Sequence, residues 1–306
     1  MLTLVTGGAG FIGSNLADEL LRQGHEVRIL DDLSTGKAEN LPGDAAFFEG
    51  SVTDVELLDQ AMDGVEVCFH QAALGSVARS IDAPLVSDEA NTHGTLSVLE
   101  AARRHGARRV VQASSSSVYG GADLRPTPES APLLPRSPYA VTKLVGEHYA
   151  RVYAELFGLE TVALRYFNVY GPRQRPDAAY AAVIPLFIDA LRRGEAPRIQ
   201  GDGRQSRDFA FISDVVAANL AAATAPAAGC SGRAYNIAGG REQSLLELLD
   251  TLRAILGVDT EAIHVDPRPG DVRHSSADLS AAAADLGYRP SVSFEDGLAQ
   301  TVAHFR

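Results

Sequence analysis

Thr3-Leu4-Val5-Thr6-Gly7-Gly8-Ala9-Gly10-Phe11-Ile12-Gly13 decides the fold. The run Leu2 to Val5 reads as a buried strand. Ser14-Asn15-Leu16-Ala17-Asp18-Glu19-Leu20-Leu21 has the apolar spacing of a helix. Between them stand Gly7, Gly10 and Gly13, which let the chain turn tightly and let a phosphate approach the backbone. The helix start then offers unpaired N–H groups and partial positive charge to that phosphate. A second strand, Val27-Arg28-Ile29-Leu30, ends in Asp31. An acidic residue about 20 positions beyond such a loop can take the hydroxyls of an adenosine ribose.

Further apolar runs at 65–70, 109–113 and 161–165 read as strands, and amphipathic segments at 14–23, 54–62, 92–105 and 139–157 as helices. Strand and helix alternate, which predicts an α/β protein with a doubly wound parallel sheet. Ligands of such sheets bind beyond the carboxyl ends of the strands. Polar or small residues stand at those exits: Asp31 and Asp32, Asp54, His70-Gln71-Ala72-Ala73, and Ser114-Ser115-Ser116-Ser117. Singly, each is an ordinary turn residue; together they point to one site. Then comes Ser137-Pro138-Tyr139-Ala140-Val141-Thr142-Lys143. Pro138 suits a helix start, so Tyr139 and Lys143 fall on one face at i and i+4. A nearby ammonium is expected to lower a tyrosine pKa from its usual value near 10. A serine hydroxyl in reach can share the proton.

The 306 residues suit one large domain or a nucleotide domain with a smaller lobe. The net charge of −12 argues against a nucleic-acid partner. Two cysteines are too few for a disulfide framework and suggest a reducing, cytoplasmic setting. The glycine-loop strand begins at residue 2, so no targeting segment is expected, and no apolar run suits a membrane span. No spacing resembles a metal site.

These residues resemble the extended short-chain dehydrogenase/reductase superfamily, and within it the UDP-sugar 4-epimerases. The resemblance runs through the glycine loop, His70 to Ala73, Ser114 to Gly120, Tyr139 to Lys143, Arg165-Tyr166-Phe167-Asn168-Val169-Tyr170-Gly171-Pro172-Arg173, Ser206-Arg207-Asp208-Phe209 and Arg268-Pro269-Gly270-Asp271. It implies a Rossmann-like domain over 1–170 and, over 171–306, mainly a substrate lobe with some segments returning. It implies NAD as cofactor, held by Gly7, Gly10, Phe11, Ile12, Gly13, Asp31, Asp32, Ser34, Gly36, Asp54, Val55, Ala72, Ala73, Asn91 and Lys143. It implies Ser115, Tyr139 and Lys143 as the catalytic set, with Tyr139 a phenolate base for the sugar's 4-hydroxyl. Ser76, Ser116, Asn168, Arg207, Arg268 and Ser275 would take the sugar and its diphosphate. Tyr180 and Val183 would lie by the uridine. The family commonly forms homodimers.

Related dehydratases carry an Asp-Glu pair where this chain has Ser116 and Ser117, and related decarboxylases carry a Glu there. Ser275 is small, leaving room for an N-acetyl group at the sugar's 2-position. Arg175 resembles a position used by UDP-glucuronate 4-epimerases, though those usually have Thr where this chain has Asn168. That activity is the alternative reading, and a non-catalytic NAD sensor on the same fold is the more distant one. Later helices are expected near 186–193, 213–224, 244–256, 278–286 and 295–305.

Overall fold

Strands buried on both faces need continuous apolar runs, and helices crossing between them need one apolar stripe. The computed structural model, which describes residues 1–121, 124–176, 182–266 and 273–305, shows both. The strands β1 (Leu2–Thr6), β2 (Glu26–Asp31), β3 (Ala46–Glu49), β4 (Val67–His70), β5 (Arg109–Ser115), β6 (Glu160–Tyr166) and β7 (Arg233–Ile237) form one sheet. Their order is β7-β6-β5-β4-β1-β2-β3, and every pairing is parallel. The chain winds outward from β1 in one direction and from β4 in the other. The crevice of the fold therefore opens at the carboxyl ends of β1 and β4.

On one face, Leu16 and Leu20 of helix Phe11–Arg22 and Val215 of helix Ile212–Thr224 pack on Ile29, Phe69 and Val111. On the other, Leu58, Val98, Leu99 and Tyr153 from helices Val55–Met62, Gly94–Arg104 and Pro138–Phe157 pack on Leu4, Cys68 and Val110. A third core, with Ile184, Phe187, Ile199, Phe211, Leu248 and Leu252, belongs to the second half. There Ser206–Asp208 pairs antiparallel with Glu242–Ser244 and parallel with His274–Ser275.

The helices stand within a few residues of their expected places. The helix after the glycine loop starts earlier, at Phe11, because Gly13 is already helical. Strand β7 carries no long apolar run: Arg-Ala-Tyr-Asn-Ile is an edge strand defined by its pairing with β6. The short helices Val77–Asp82 and Pro84–Asp88 leave Ile81 and Leu85 outside, at 63% and 84% exposure, and so lack a core-facing apolar stripe. Among the described residues no helix is long and apolar enough to cross a membrane.

Candidate active site

The glycine loop is packed too tightly for side chains at two positions. Gly7 has φ +70, and a Cβ there would lie 2.6 Å from the Ala72 nitrogen. A Cβ on Gly13 would lie 2.2 Å from the Gly7 oxygen. Loop, helix and the segment after β4 thus share one close contact. No side chain caps the helix at Gly10, and no acidic residue occupies its first turn. Gly10, Phe11, Ile12 and Gly13 line a cavity, so the helix end faces it with its own N–H groups.

Asp31, at the end of β2, is 7% exposed and lines the same cavity. One carboxylate oxygen accepts the Ala9 N–H at 2.9 Å and the other the Leu33 N–H at 2.8 Å. Burial pushes its pKa up and those two bonds pull it back. Each oxygen keeps a further lone pair for hydroxyl donors. Asp32 accepts the Ser34 N–H at 2.9 Å, and both residues line the wall. Donors at a helix end, a buried carboxylate one strand away and the Ala72-Ala73 backbone suit a dinucleotide's diphosphate, ribose and flat ring.

Four other expected cofactor residues stand behind this wall. Gly36 packs against Ala9 and the Asp31 carboxylate. Asp54 caps helix Val55–Met62 by accepting the Leu57 N–H at 3.1 Å, with Val55 beginning that helix. Asn91, 1% exposed, accepts the Leu74 N–H at 2.8 Å and donates to Thr142 at 3.1 Å, so its amide pins the segment that forms the wall.

Tyr139 and Lys143 line the cavity opposite. The Ser137 hydroxyl caps their helix by accepting the Ala140 N–H at 3.2 Å. Ser115 ends β5 and bonds the Tyr139 hydroxyl. The Ser115 oxygen also accepts from the Ser117 N–H at 3.2 Å and the Ser117 hydroxyl at 2.9 Å. With both lone pairs taken, its own proton is left to donate to the phenol oxygen. The expected depression of the Tyr139 pKa is not found: burial raises it, and the Ser115 bond lowers it only in part. The ammonium does not reverse this, because Lys143 Nζ donates to the Ala113 carbonyl at 2.9 Å and lies 6.0 Å from the Tyr139 ring centroid. Burial brings Lys143 down to about 8, while Glu147 pulls it up. His70 is held neutral, at about 3, by burial and the Lys143 charge. It bridges Thr6 at 2.8 Å and Thr95 at 3.0 Å.

A second cavity is lined by residues from both halves of the chain. Ser116, Asn168, Arg207 and Ser275 line it, and Ser275 stands beside Arg207 in the strand register. Asn168 Nδ2 donates to the Asp208 carbonyl at 3.1 Å. A third cavity shares Asn168 and Arg207 and includes Val183. Ser76 is on none of these walls; it caps the helix of Val77, which is. Tyr180 and Arg268 lie outside the described residues. Sequence reasoning noted Ser114 only as one of the strand-exit serines and missed Tyr166; both line the glycine-loop cavity. Tyr166 pairs with Ser115 at the exit of β6, so the same strand-exit rule would have found it.

Fold and site together define a dinucleotide-dependent α/β enzyme. The profile of the NAD dependent epimerase/dehydratase family matches residues 3–238, and the chain belongs to that family. It is 42% identical to the UDP-glucose 4-epimerase of Mycolicibacterium smegmatis, over 100% of this chain and 99% of that one. It superposes with TM-score 0.95 on a UDP-glucose 4-epimerase of Thermotoga maritima solved with UDP-glucose, at 40% identity over 100% of this chain and 98% of that one. It superposes with TM-score 0.94 on a UDP-N-acetylglucosamine 4-epimerase of Methanobrevibacter ruminantium solved with UDP-N-acetylmuramic acid, at 38% identity over 99% and 97%. The chain is an enzyme, an isomerase of the epimerase kind with NAD as its cofactor.

Proposed function

We propose that the protein interconverts the C4 epimers of a UDP-hexose, UDP-glucose with UDP-galactose and their N-acetylated counterparts. The observation that carries this reading is the Tyr139 hydroxyl, held by Ser115 on one wall of the glycine-loop cavity and next to a second cavity with polar walls. When bound, NAD supplies a reversible hydride acceptor for the carbon bearing the 4-hydroxyl. Tyr139 takes the proton of that hydroxyl and returns it, and Ser115 steadies the phenolate by donating to it. Lys143 holds the nicotinamide ribose, Asp31 the adenosine ribose, and the glycine loop the cofactor's diphosphate. Arg207 binds the substrate's diphosphate, a task suited to the guanidinium fork in so acidic a protein. Val183 sits by the uridine.

The family also contains dehydratases, and water elimination needs an acid and a base beyond the tyrosine. Among the described residues of the second cavity there is no Asp or Glu; Ser116 and Ser117 stand where those groups would act. That favours epimerisation. The uronate alternative leans on Arg175, whose guanidinium donates to the Thr35 carbonyl at 3.3 Å, on the cofactor side. Incubation with UDP-glucose, UDP-N-acetylglucosamine and UDP-glucuronate separately, with products resolved, is expected to show conversion of the first two. Ser275→Tyr is expected to lose the N-acetylated substrate by about 100-fold and keep UDP-glucose, a difference of nearly 3 kcal/mol in pocket fit. A wild type that ignores N-acetylated sugars removes Ser275 from the argument.

We further propose a homodimer. Ile81, Leu85 and Val86 are exposed on short helices packed against helix Pro138–Phe157, which itself exposes Val141. Large apolar side chains left exposed on neighbouring helices mark an interface. Leu85→Glu with Ile81→Glu is expected to convert a dimer to a monomer in sedimentation. A wild type that sediments as a monomer refutes the pairing.

A further inference from the structure

Helix Pro138–Phe157 grips three consecutive residues of β5. Tyr139 bonds Ser115, Lys143 Nζ donates to the Ala113 carbonyl, and the Ser114 hydroxyl donates to the Glu147 carboxylate. Positions 139, 143 and 147 are i, i+4 and i+8, one stripe of the helix. Tyr139, Lys143 and Ser114 face the cofactor-side cavity, whereas Glu147 is behind it and 7% exposed. Arg165 of β6 closes a fork on it, with Nε to Oε1 at 2.9 Å and a terminal nitrogen to Oε2 at 2.7 Å. The other terminal nitrogen donates to the Tyr119 hydroxyl at 2.7 Å, which donates to Asn236 of β7 at 2.7 Å. The carboxylate is thus anchored across three strands.

A buried ion pair is a weak source of stability, because desolvation offsets most of its attraction. Its place under the Tyr-Lys pair supplies another use. We propose that Glu147 is a positioning residue: it holds the helix on β5 in the register that Tyr139 and Lys143 need, and its charge keeps Lys143 an ammonium. The groups facing Lys143 agree with this. His70 on β4 is neutral. Burial pushes the pKa of Tyr166 on β6 up to about 12 and raises that of Tyr139, so both are neutral. Arg165 is paired to Glu147 itself. On the helical stretch packed alongside, Asp82, Asp88, Glu89 and His93 are exposed and Arg79 is half-buried. Glu147 is the buried anion beside the ammonium, and it opposes the downward pull of burial. Without it, Lys143 loses its proton at lower pH.

The proposal rests on the epimerase reading, and its test has a readout that does not. In the NAD-loaded protein, Glu147→Gln is expected to move the pH at which kcat/KM for UDP-glucose stops climbing down by about one unit or more. The ¹⁵N NMR titration of Lys143 is expected to move with it. Glu147→Gln leaves Arg165 unpaired, so the double variant Glu147→Gln/Arg165→Gln, which buries no lone charge, is measured alongside and is expected to shift the same way. Glu147→Asp keeps the charge but reaches less far, and is expected to keep the wild-type break in the pH profile while kcat falls about 10-fold. Profiles and titrations of the Gln variants that superimpose on wild type overturn the proposal, as does an Asp variant shifted as far as Gln. A wild type inactive on every UDP-sugar refutes the function instead, and the Lys143 titration still decides the role of Glu147.

Discussion

Tyr139→Phe is expected to slow the interconversion of UDP-glucose and UDP-galactose by about 10³-fold, the usual scale for removing a general acid–base group. NAD content and melting temperature are expected to stay at wild-type values. The substitution keeps the ring and its packing and deletes one oxygen whose partner is Ser115. Burial holds the phenol protonated to higher pH than a free tyrosine, so the protein alone does not make the base. On the proposed mechanism the ionised form is needed in the forward step, and the wild-type rate therefore climbs with pH on the acid side as the phenolate fraction grows. Above about pH 8 the climb levels off, because Lys143 loses its charge as the phenolate fraction grows. The Phe variant is expected to lose that climb together with the rate. Turnover within about 10-fold of wild type would take Tyr139 out of the mechanism, whatever the pH.

The parts of the fold that could be read from the chain are those set by local chemistry. Leu2 to Val5, Val27 to Leu30 and the runs near 67, 110 and 162 are apolar because each strand is covered on both faces. Asp31 and Ser115 were legible as strand-exit residues, and Tyr139 with Lys143 as a helical pair. What was not legible depends on partners distant in the chain. Strand β7 exists because β6 offers it an edge. Asn91 is a cofactor residue by resemblance; that its amide also ties Leu74 to Thr142 could not be read from the chain. The Tyr139 pKa was misread because helical spacing gives proximity but not direction. Lys143 turns its ammonium to the Ala113 carbonyl, and burial, which no local pattern reports, decides the sign.

Gly13→Ala is expected to strip the protein of retained NAD and to lower its melting temperature by about 5 °C. The added Cβ would meet the Gly7 oxygen at 2.2 Å, the Gly7 carbon at 2.8 Å and the Gly8 Cα at 2.9 Å. All three are backbone atoms, so no side chain can swing away. The loop or the helix start must move, at a cost of about 3 kcal/mol by the scale of overpacked cores, and each kcal/mol is worth about 1.6 °C in a chain of this size. The movement also displaces the wall at Gly10, Phe11 and Ile12, which supplies the helix-end N–H groups. Gly24→Ala separates this from a general glycine effect. Gly24 has φ +79 but nothing within 4 Å of a new Cβ, so that variant bears only the left-handed strain, about 1 kcal/mol, and should keep its NAD. Absorbance of cofactor released on denaturation, read with scanning calorimetry, distinguishes the two. If Gly13→Ala carries a full complement of NAD at an unchanged melting temperature, the turn has slack that these distances deny, and the close approach of strand, loop and helix is not what shapes the cofactor site.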